Sequence, residues 1–311
     1  MKTRRLIIDT DTASDDAVAL IMATRWPHIK IDALTIVSGN VPLKQASINA
    51  RYTLQICGVV DIPVYNGCDR PLMRRAEYAD WYHGPDGMGN MNYPTPEQNA
   101  KSDHAVTELI RRFKAEPGEI TLVTLGPLTN IATALRIEPE LAKWVKHCYI
   151  MGGAACTIGN VTPAAEYNMW VDPEAATIVF HSGLPITMIG WELSTGDANL
   201  FADEVKEVYG FETNHARLAM DCNKHAVNAA MKLQGQSGMA LADPVAMAVV
   251  LDPVACTRYS NHFVDISCDA ELTRGMTVVD LYGVMNKGPN VEVCWELDAA
   301  RFKEILYQTL R

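Results

Sequence analysis

Apolar residues in this chain fall into short unbroken runs separated by stretches where they recur every three or four positions. Runs at 6–8, 31–37, 62–65, 120–125, 148–151 and 185–190 have the length and continuity of buried parallel strands. Between them, 17–23, 42–57, 104–115, 129–136 and the stretch from 173 read as helices, and a long helix is expected over 214–233. Pro244 opens a further helix to about 250, with Asp243 as its expected cap. The tail turns to β character at 263–267, 275–281 and 291–296, then closes with a helix over 299–310. This alternation predicts an α/β fold: an open, mostly parallel, Rossmann-like sheet with helices on both faces and added antiparallel strands near the C-terminus. No repeat or linker interrupts it, so residues 1–311 are expected to form a single domain.

The first strand-to-helix connection carries four aspartates within eight residues, Asp9, Asp11, Asp15 and Asp16. Asp9 and Asp11, two apart at a strand end, are expected to point the same way. Asp15 and Asp16 fall at a helix start, with Ser14 as the expected N-cap. Strand ends and helix starts meet where open α/β sheets bind ligands. Two unit charges 4 Å apart repel by about 4 kcal/mol at an effective dielectric of 20. That repulsion needs an offset, and an all-oxygen donor set suits a hard divalent cation, Ca²⁺ or Mg²⁺.

Other polar groups fall at the same predicted rim. Asn40 follows the second strand, and Gly152-Gly153 the fifth. Asn160, Glu166 and Asn168 are spaced to bind several hydroxyls, or to form turns. Residues 66–99 lack periodicity yet hold Trp81, Tyr82 and His83, which reads as a substrate lid.

Composition narrows the class further. Apolar residues make up 48% and charged residues 21%, as in ordinary globular enzymes. The net charge, 27 − 37 = −10, disfavours nucleic acid or anionic membrane as a partner. No apolar run reaches the length of a membrane span. Eight scattered cysteines without zinc spacing, and no signal-peptide pattern, predict reduced thiols and a cytoplasmic location.

Taken together, Asp9-Thr10-Asp11, Asp15-Asp16-Ala17, Gly39-Asn40, His83-Gly84-Pro85-Asp86-Gly87-Met88-Gly89 and Gly126-Pro127-Leu128-Thr129-Asn130 resemble the inosine–uridine-type nucleoside hydrolases. Met151-Gly152-Gly153, Glu166-Tyr167-Asn168, Asp172-Pro173-Glu174-Ala175-Ala176 and Asp243-Pro244 extend the resemblance over most of the chain. It implies Ca²⁺-dependent hydrolysis of the N-glycosidic bond of ribonucleosides by a homodimer or homotetramer. It also implies Asp11, Asp16, Asp243 and the Leu125 carbonyl as metal ligands, and Asp11 as the base that takes a proton from water. Asp15, Asn40, Met151, Asn160, Glu166 and Asn168 would hold the ribose, with His83 in the lid also at the substrate. One extra residue separates Met151 from Asn160 relative to the family pattern. Where the family places a His or a Trp before the last metal-binding Asp, this chain has Ala242. His225 is then the expected leaving-group acid, with His83 as the other candidate, and Trp81, Tyr82 and Trp191 as stacking surfaces.

Two other readings compete. Ile7-Ile8-Asp9-Thr10-Asp11-Thr12 also matches the first motif of haloacid-dehalogenase-like phosphohydrolases, with Asp9 as nucleophile. A nucleoside- or sugar-binding relative without catalysis would share the fold. Release of ribose, of phosphate or of neither separates the three.

Overall fold

The computed structural model describes residues 3–311. Among them, nine strands form one sheet: β1 (Arg4–Thr10), β2 (Ile29–Ile36), β3 (Val64–Asn66), β4 (Ile120–Thr124), β5 (His147–Met151), β6 (Ile186–Ile189), β7 (Cys256–Ile266), β8 (Thr277–Asp280) and β9 (Val291–Leu297). Their spatial order is β3-β2-β1-β4-β5-β6-β9-β7-β8. All pairings up to β6–β9 are parallel, and β7 runs antiparallel to both β9 and β8. As expected, the tail adds antiparallel strands, β7 beside β9 and β8 beside β7 at one edge of the sheet, while β9 itself extends the parallel part. The order reverses between β1 and β4, which opens a crevice at their carboxyl ends.

The sheet separates two apolar layers. One packs the helices Ser14–Arg25, Leu43–Ile56, Ala242–Leu251 and Ala299–Leu310; the other packs Ala105–Ala115, Thr129–Ile137 and Pro173–Phe180. Helix Ser14–Arg25 is buried from Asp16 through Ala23, and Ala242–Leu251 is buried from Asp243 to its end. Both are apolar all round because other helices cover the face that the sheet does not. Leu20, Ile21 and Met22 are fully buried, which stabilises the fold by about 1.5–3 kcal/mol each. The helix that carries the acidic residues is thereby held against the sheet.

Several local expectations change. The helix expected over 214–233 breaks into Asn214–Cys222, Lys224–Ala229 and a widened turn Ala230–Gln234. At the break, Asn223 turns its amide to the carbonyls of Ser14 and Ala219, and Gly89 of the lid loop passes so close that a Cβ there would meet the Cys222 carbonyl at 2.6 Å. Ala13, not Ser14, caps the first helix, and Asp243 lies inside the first turn of helix Ala242–Leu251 rather than at its cap. Cys256 and Cys294 form a disulfide, contrary to the expectation of thiols throughout. Antiparallel pairing of β7 with β9 brings residues 38 apart in sequence to a Cα separation of 6.2 Å, a proximity that spacing along the chain does not reveal. The other six cysteines are free. No helix among the described residues is long and apolar enough to cross a membrane.

Candidate active site

The crevice is walled by the ends of four parallel strands. Asp11, Asp15 and Asp16 follow β1, Asn40 follows β2, Leu125 follows β4, and Met151 closes β5. Asp15, Asp16 and Asp243 bring carboxylate oxygens within 4.8 Å of one another. Asp11 is outside that tightest group but interacts with it electrostatically. Asp11, Asp16 and Asp243 are buried, Asp15 partly so.

Each acid is aimed by its neighbours. Asp16 accepts hydrogen bonds from the Thr10 hydroxyl at 2.5 Å and the Ala13 amide at 2.9 Å. Asp11 accepts from the Asn40 amide and lies between two glycines. A Cβ at Gly39 would sit 2.1 Å from Asp11 Oδ2, and one at Gly126 would sit 2.6 Å from Oδ1. Only a residue without a side chain lets both loops close on this carboxylate. Among the described residues, Oδ1 of Asp11 and Oδ1 of Asp15 find no hydrogen-bond partner, and both atoms are buried.

Burial and mutual repulsion push Asp11 and Asp243 well above the usual carboxylate range, and Asp16 up to about 7. Burial also raises Glu166 to about 7, although three amides, of Gly153, Asn168 and Met169, donate to it. Asp9 departs from the expected grouping. Its carboxylate takes hydrogen bonds from Thr35 and Asn130, and it sits within β1 rather than in the acidic group. That placement removes the nucleophile of the phosphohydrolase reading.

The crowding of acids fits a cation. Orphaned carboxylate oxygens and the raised affinity for protons both mark a site where positive charge is wanted, and oxygen donors suit a hard divalent ion. The Leu125 carbonyl lies at the same rim and accepts from the Asn168 amide at 2.9 Å, which leaves it a second lone pair.

The cleft beyond is lined by Asp15, Asn40, His83, Met151, Asn160, Glu166 and Asn168, so every residue expected at the substrate faces one space. Asn160 Oδ1 holds the Tyr167 amide at 3.0 Å, and the Tyr167 hydroxyl ties Gly39 O to Glu77 O, linking the second-strand loop to the lid. His83 Nδ1 shares a 2.8 Å hydrogen bond with the Ser14 hydroxyl and stands 4.0 Å from Asp15; burial lowers its pKa. Trp81, Tyr82, Trp191, Ala226, Gln236, Ala240 and Ala242 line the cleft as well. His225 does not: its Nδ1 meets the Tyr82 carbonyl at 2.9 Å, behind the wall. The glycine cradle, Asn223 and Gln236 were not anticipated. Glycines directly after strand ends at 39 and 126 were the one legible signal of close approach.

A family model described as inosine-uridine preferring nucleoside hydrolase matches residues 6–304, and the chain belongs to that family. Among curated proteins it is 39% identical to the inosine-uridine preferring nucleoside hydrolase of Leishmania major over 302 residues, covering 96% of this chain and 95% of that one. It is 36% identical to the pyrimidine-specific ribonucleoside hydrolase RihA of Shewanella woodyi, covering 99% and 98%. Among solved structures, a plant nucleoside hydrolase, PpNRh1, superposes with a TM-score of 0.93 at 30% identity, covering 99% of each chain. A purine-preferring ribonucleoside hydrolase from Gardnerella vaginalis gives 0.91 at 29%, covering 99% and 98%. The protein is an N-glycosidase that hydrolyses ribonucleosides.

Proposed function

We propose that the enzyme cleaves purine or pyrimidine ribonucleosides to free base and ribose with Ca²⁺ in the acidic group. The observation that carries this reading is the convergence of Asp11, Asp16 and Asp243, with their orphaned oxygen and raised proton affinity, on the rim of the cleft that Asn40, Glu166 and Asn168 line. Asp11, Asp16, Asp243 and the Leu125 carbonyl would hold the ion, and the tight grouping adds Asp15 as a neighbour at the sugar. When bound, the cation supplies positive charge that acidifies a water and favours a vicinal diol.

Cleavage of the C1′–N bond develops positive charge on the ribose ring. Asp15 and Glu166 place carboxylates where that charge is stabilised. Glu166 is itself aimed by three backbone amides. Asn40 and Asn168 hold the hydroxyls, and Asp11, fixed between Gly39 and Gly126, accepts the proton of the attacking water. Water attacks one face, so the anomeric centre inverts. His83, whose Nδ1 is engaged by Ser14, offers its other ring nitrogen to the substrate. His225, expected as the acid, stands behind Tyr82 and acts by positioning that residue.

The test is ribose release from inosine and uridine, with metal content measured in parallel. The expected result is turnover lost on chelation and restored by Ca²⁺, and an Asp16→Asn variant that is folded, metal-poor and at least 10²-fold slower. Full turnover in a metal-free preparation, or in that variant, overturns the reading.

A further inference from the structure

Asn130 is fully buried in the first turn of helix Thr129–Ile137, which follows β4, and it does not line the cleft. Its side-chain amide is engaged by the three neighbouring strands. Nδ2 donates to Asp9 Oδ2 on β1 at 2.8 Å and to the Ile36 carbonyl that ends β2 at 3.1 Å. Oδ1 accepts from the Cys68 amide, just past β3, at 2.8 Å. One side chain thus joins the carboxyl ends of β3, β2, β1 and β4, which lie side by side in the sheet. The fit is close: a Cβ at Gly67 would sit 2.2 Å from Asn130 Oδ1 and 2.6 Å from Nδ2. The Thr35 hydroxyl donates to the same Asp9 oxygen at 2.6 Å, so Asp9 is held from β2 as well.

Each of these strand ends leads into the residues proposed to act in catalysis. Asp9 stands two residues before Asp11, and its carbonyl accepts from the Leu125 amide at 2.8 Å. The Cys68 carbonyl accepts from the Ser38 amide at 3.0 Å, beside Gly39, and the next amide along, that of Asn40, donates to Asp11. Gly126, whose bare Cα makes room for Asp11, lies four residues before Asn130 in the same turn. A buried amide that loses a partner leaves a group unpaired away from water. Asp at this place would bring no donor to Asp9 or Ile36, and Leu would leave all three partners unpaired.

We infer that Asn130 is a positioning residue for the hydrolysis. Through Asp9, Ile36 and Cys68 it fixes the Leu125–Gly126 turn and the Ser38–Asn40 loop around Asp11, and so sets where the proton of the attacking water is accepted. This rests on the roles proposed for Asp11 and the Leu125 carbonyl. Asn130 touches neither substrate nor ion; it acts through the backbone of three loops.

The test sets Asn130→Ala beside Leu135→Ala, a buried apolar position toward the far end of the same helix. Both should lower the melting temperature. Kinetics on inosine at saturating Ca²⁺, and calorimetric Ca²⁺ titrations, are run well below the lower of the two, so that each enzyme is folded. Asn130→Ala should lower kcat by about 10- to 100-fold and weaken Ca²⁺ binding about 10-fold, with KM within about threefold. Leu135→Ala should keep kcat and Ca²⁺ affinity within about threefold of wild type. Gly67→Ala displaces the Asn130 amide without removing a partner, and should lower kcat at least threefold with the same split; it carries the test if Asn130→Ala does not fold. Asp9→Asn keeps an acceptor oxygen for Asn130 and Thr35, and should retain at least tenfold more kcat than Asp9→Ala. A folded Asn130→Ala or Gly67→Ala enzyme with kcat and Ca²⁺ affinity within twofold of wild type overturns the inference, as does Leu135→Ala losing as much kcat as Asn130→Ala. Wild-type enzyme that keeps full turnover after chelation overturns the metal assignment instead, before any variant is compared.

Discussion

Replacing Gly39 by Ala tests whether Asp11 is held as the structure shows. The new Cβ would lie 2.1 Å from Asp11 Oδ2 and 2.6 Å from Pro127 Cδ, against an ordinary contact of 3.4 Å or more. The carboxylate must therefore retreat by about 3.4 − 2.1 = 1.3 Å, or the loop must move with its bond to Asp11. The backbone at Gly39 needs no left-handed conformation, so the methyl group is the whole perturbation. A displacement of about 1 Å in a positioned group costs on the order of 10²-fold in rate. Gly39→Ala should lower kcat for inosine by about that factor while KM changes less, because the proton acceptor moves and the ribose contacts of Glu166 and Asn168 stay. Gly288→Ala, where a Cβ meets nothing within 4 Å, is the control. Thermal melting and circular dichroism establish that both variants fold. A folded Gly39→Ala enzyme with kcat within threefold of wild type would show that Asp11 does not work from this cradle.

Three further outcomes follow from the same geometry. 2′-Deoxyinosine should be hydrolysed at least 10²-fold more slowly than inosine, because contacts to the missing hydroxyl act in the transition state; equal rates contradict the ribose assignment. His225→Ala should slow inosine and p-nitrophenyl riboside alike, since this residue supports Tyr82; selective slowing of inosine would restore it as the leaving-group acid. Burial raises Glu192 to about 7, one of its oxygens lacking a partner. The native state thus holds this proton more tightly than the unfolded chain does. The associated stability is fully present below about pH 4.5 and is lost as pH rises through 7, by an amount on the order of 3 kcal/mol. Glu192→Gln should flatten that loss when urea midpoints at pH 5 and pH 8 are compared with wild type, and parallel pH dependences in the two proteins would refute the assignment.

Local pattern carried the sheet far. The runs at 6–8 and 120–125 are continuous because both faces of β1 and β4 are covered, and that is what made them readable as parallel strands. The residues proposed to face the ribose stand in the family motifs, and strand ends together with the loop and helix start at 160–168 bring them to one cleft. What stayed hidden depends on contacts between distant segments. The break at Asn223 is set by the Ser14 carbonyl, 209 residues away, while its own stretch keeps a helical pattern. Asp9 and Asp11 looked alike in sequence; Thr35 and Asn130 claim the first, and two glycine loops enclose the second. His225 has a suitable imidazole, but the lid's backbone at Tyr82 lies between it and the cleft.

The division of labour within the cleft has a consequence for how such a protein changes over generations. Its acidic side is anchored to strand termini, to backbone amides and to glycines that tolerate no side chain, so a substitution there disturbs several loops together. Trp81, Ala226, Gln236 and Ala240, which also line the cleft, are carried by short helices and turns outside the sheet. Those side chains can be exchanged without moving the sheet, so variation is channelled to that part of the lining while the acidic strand ends stay fixed.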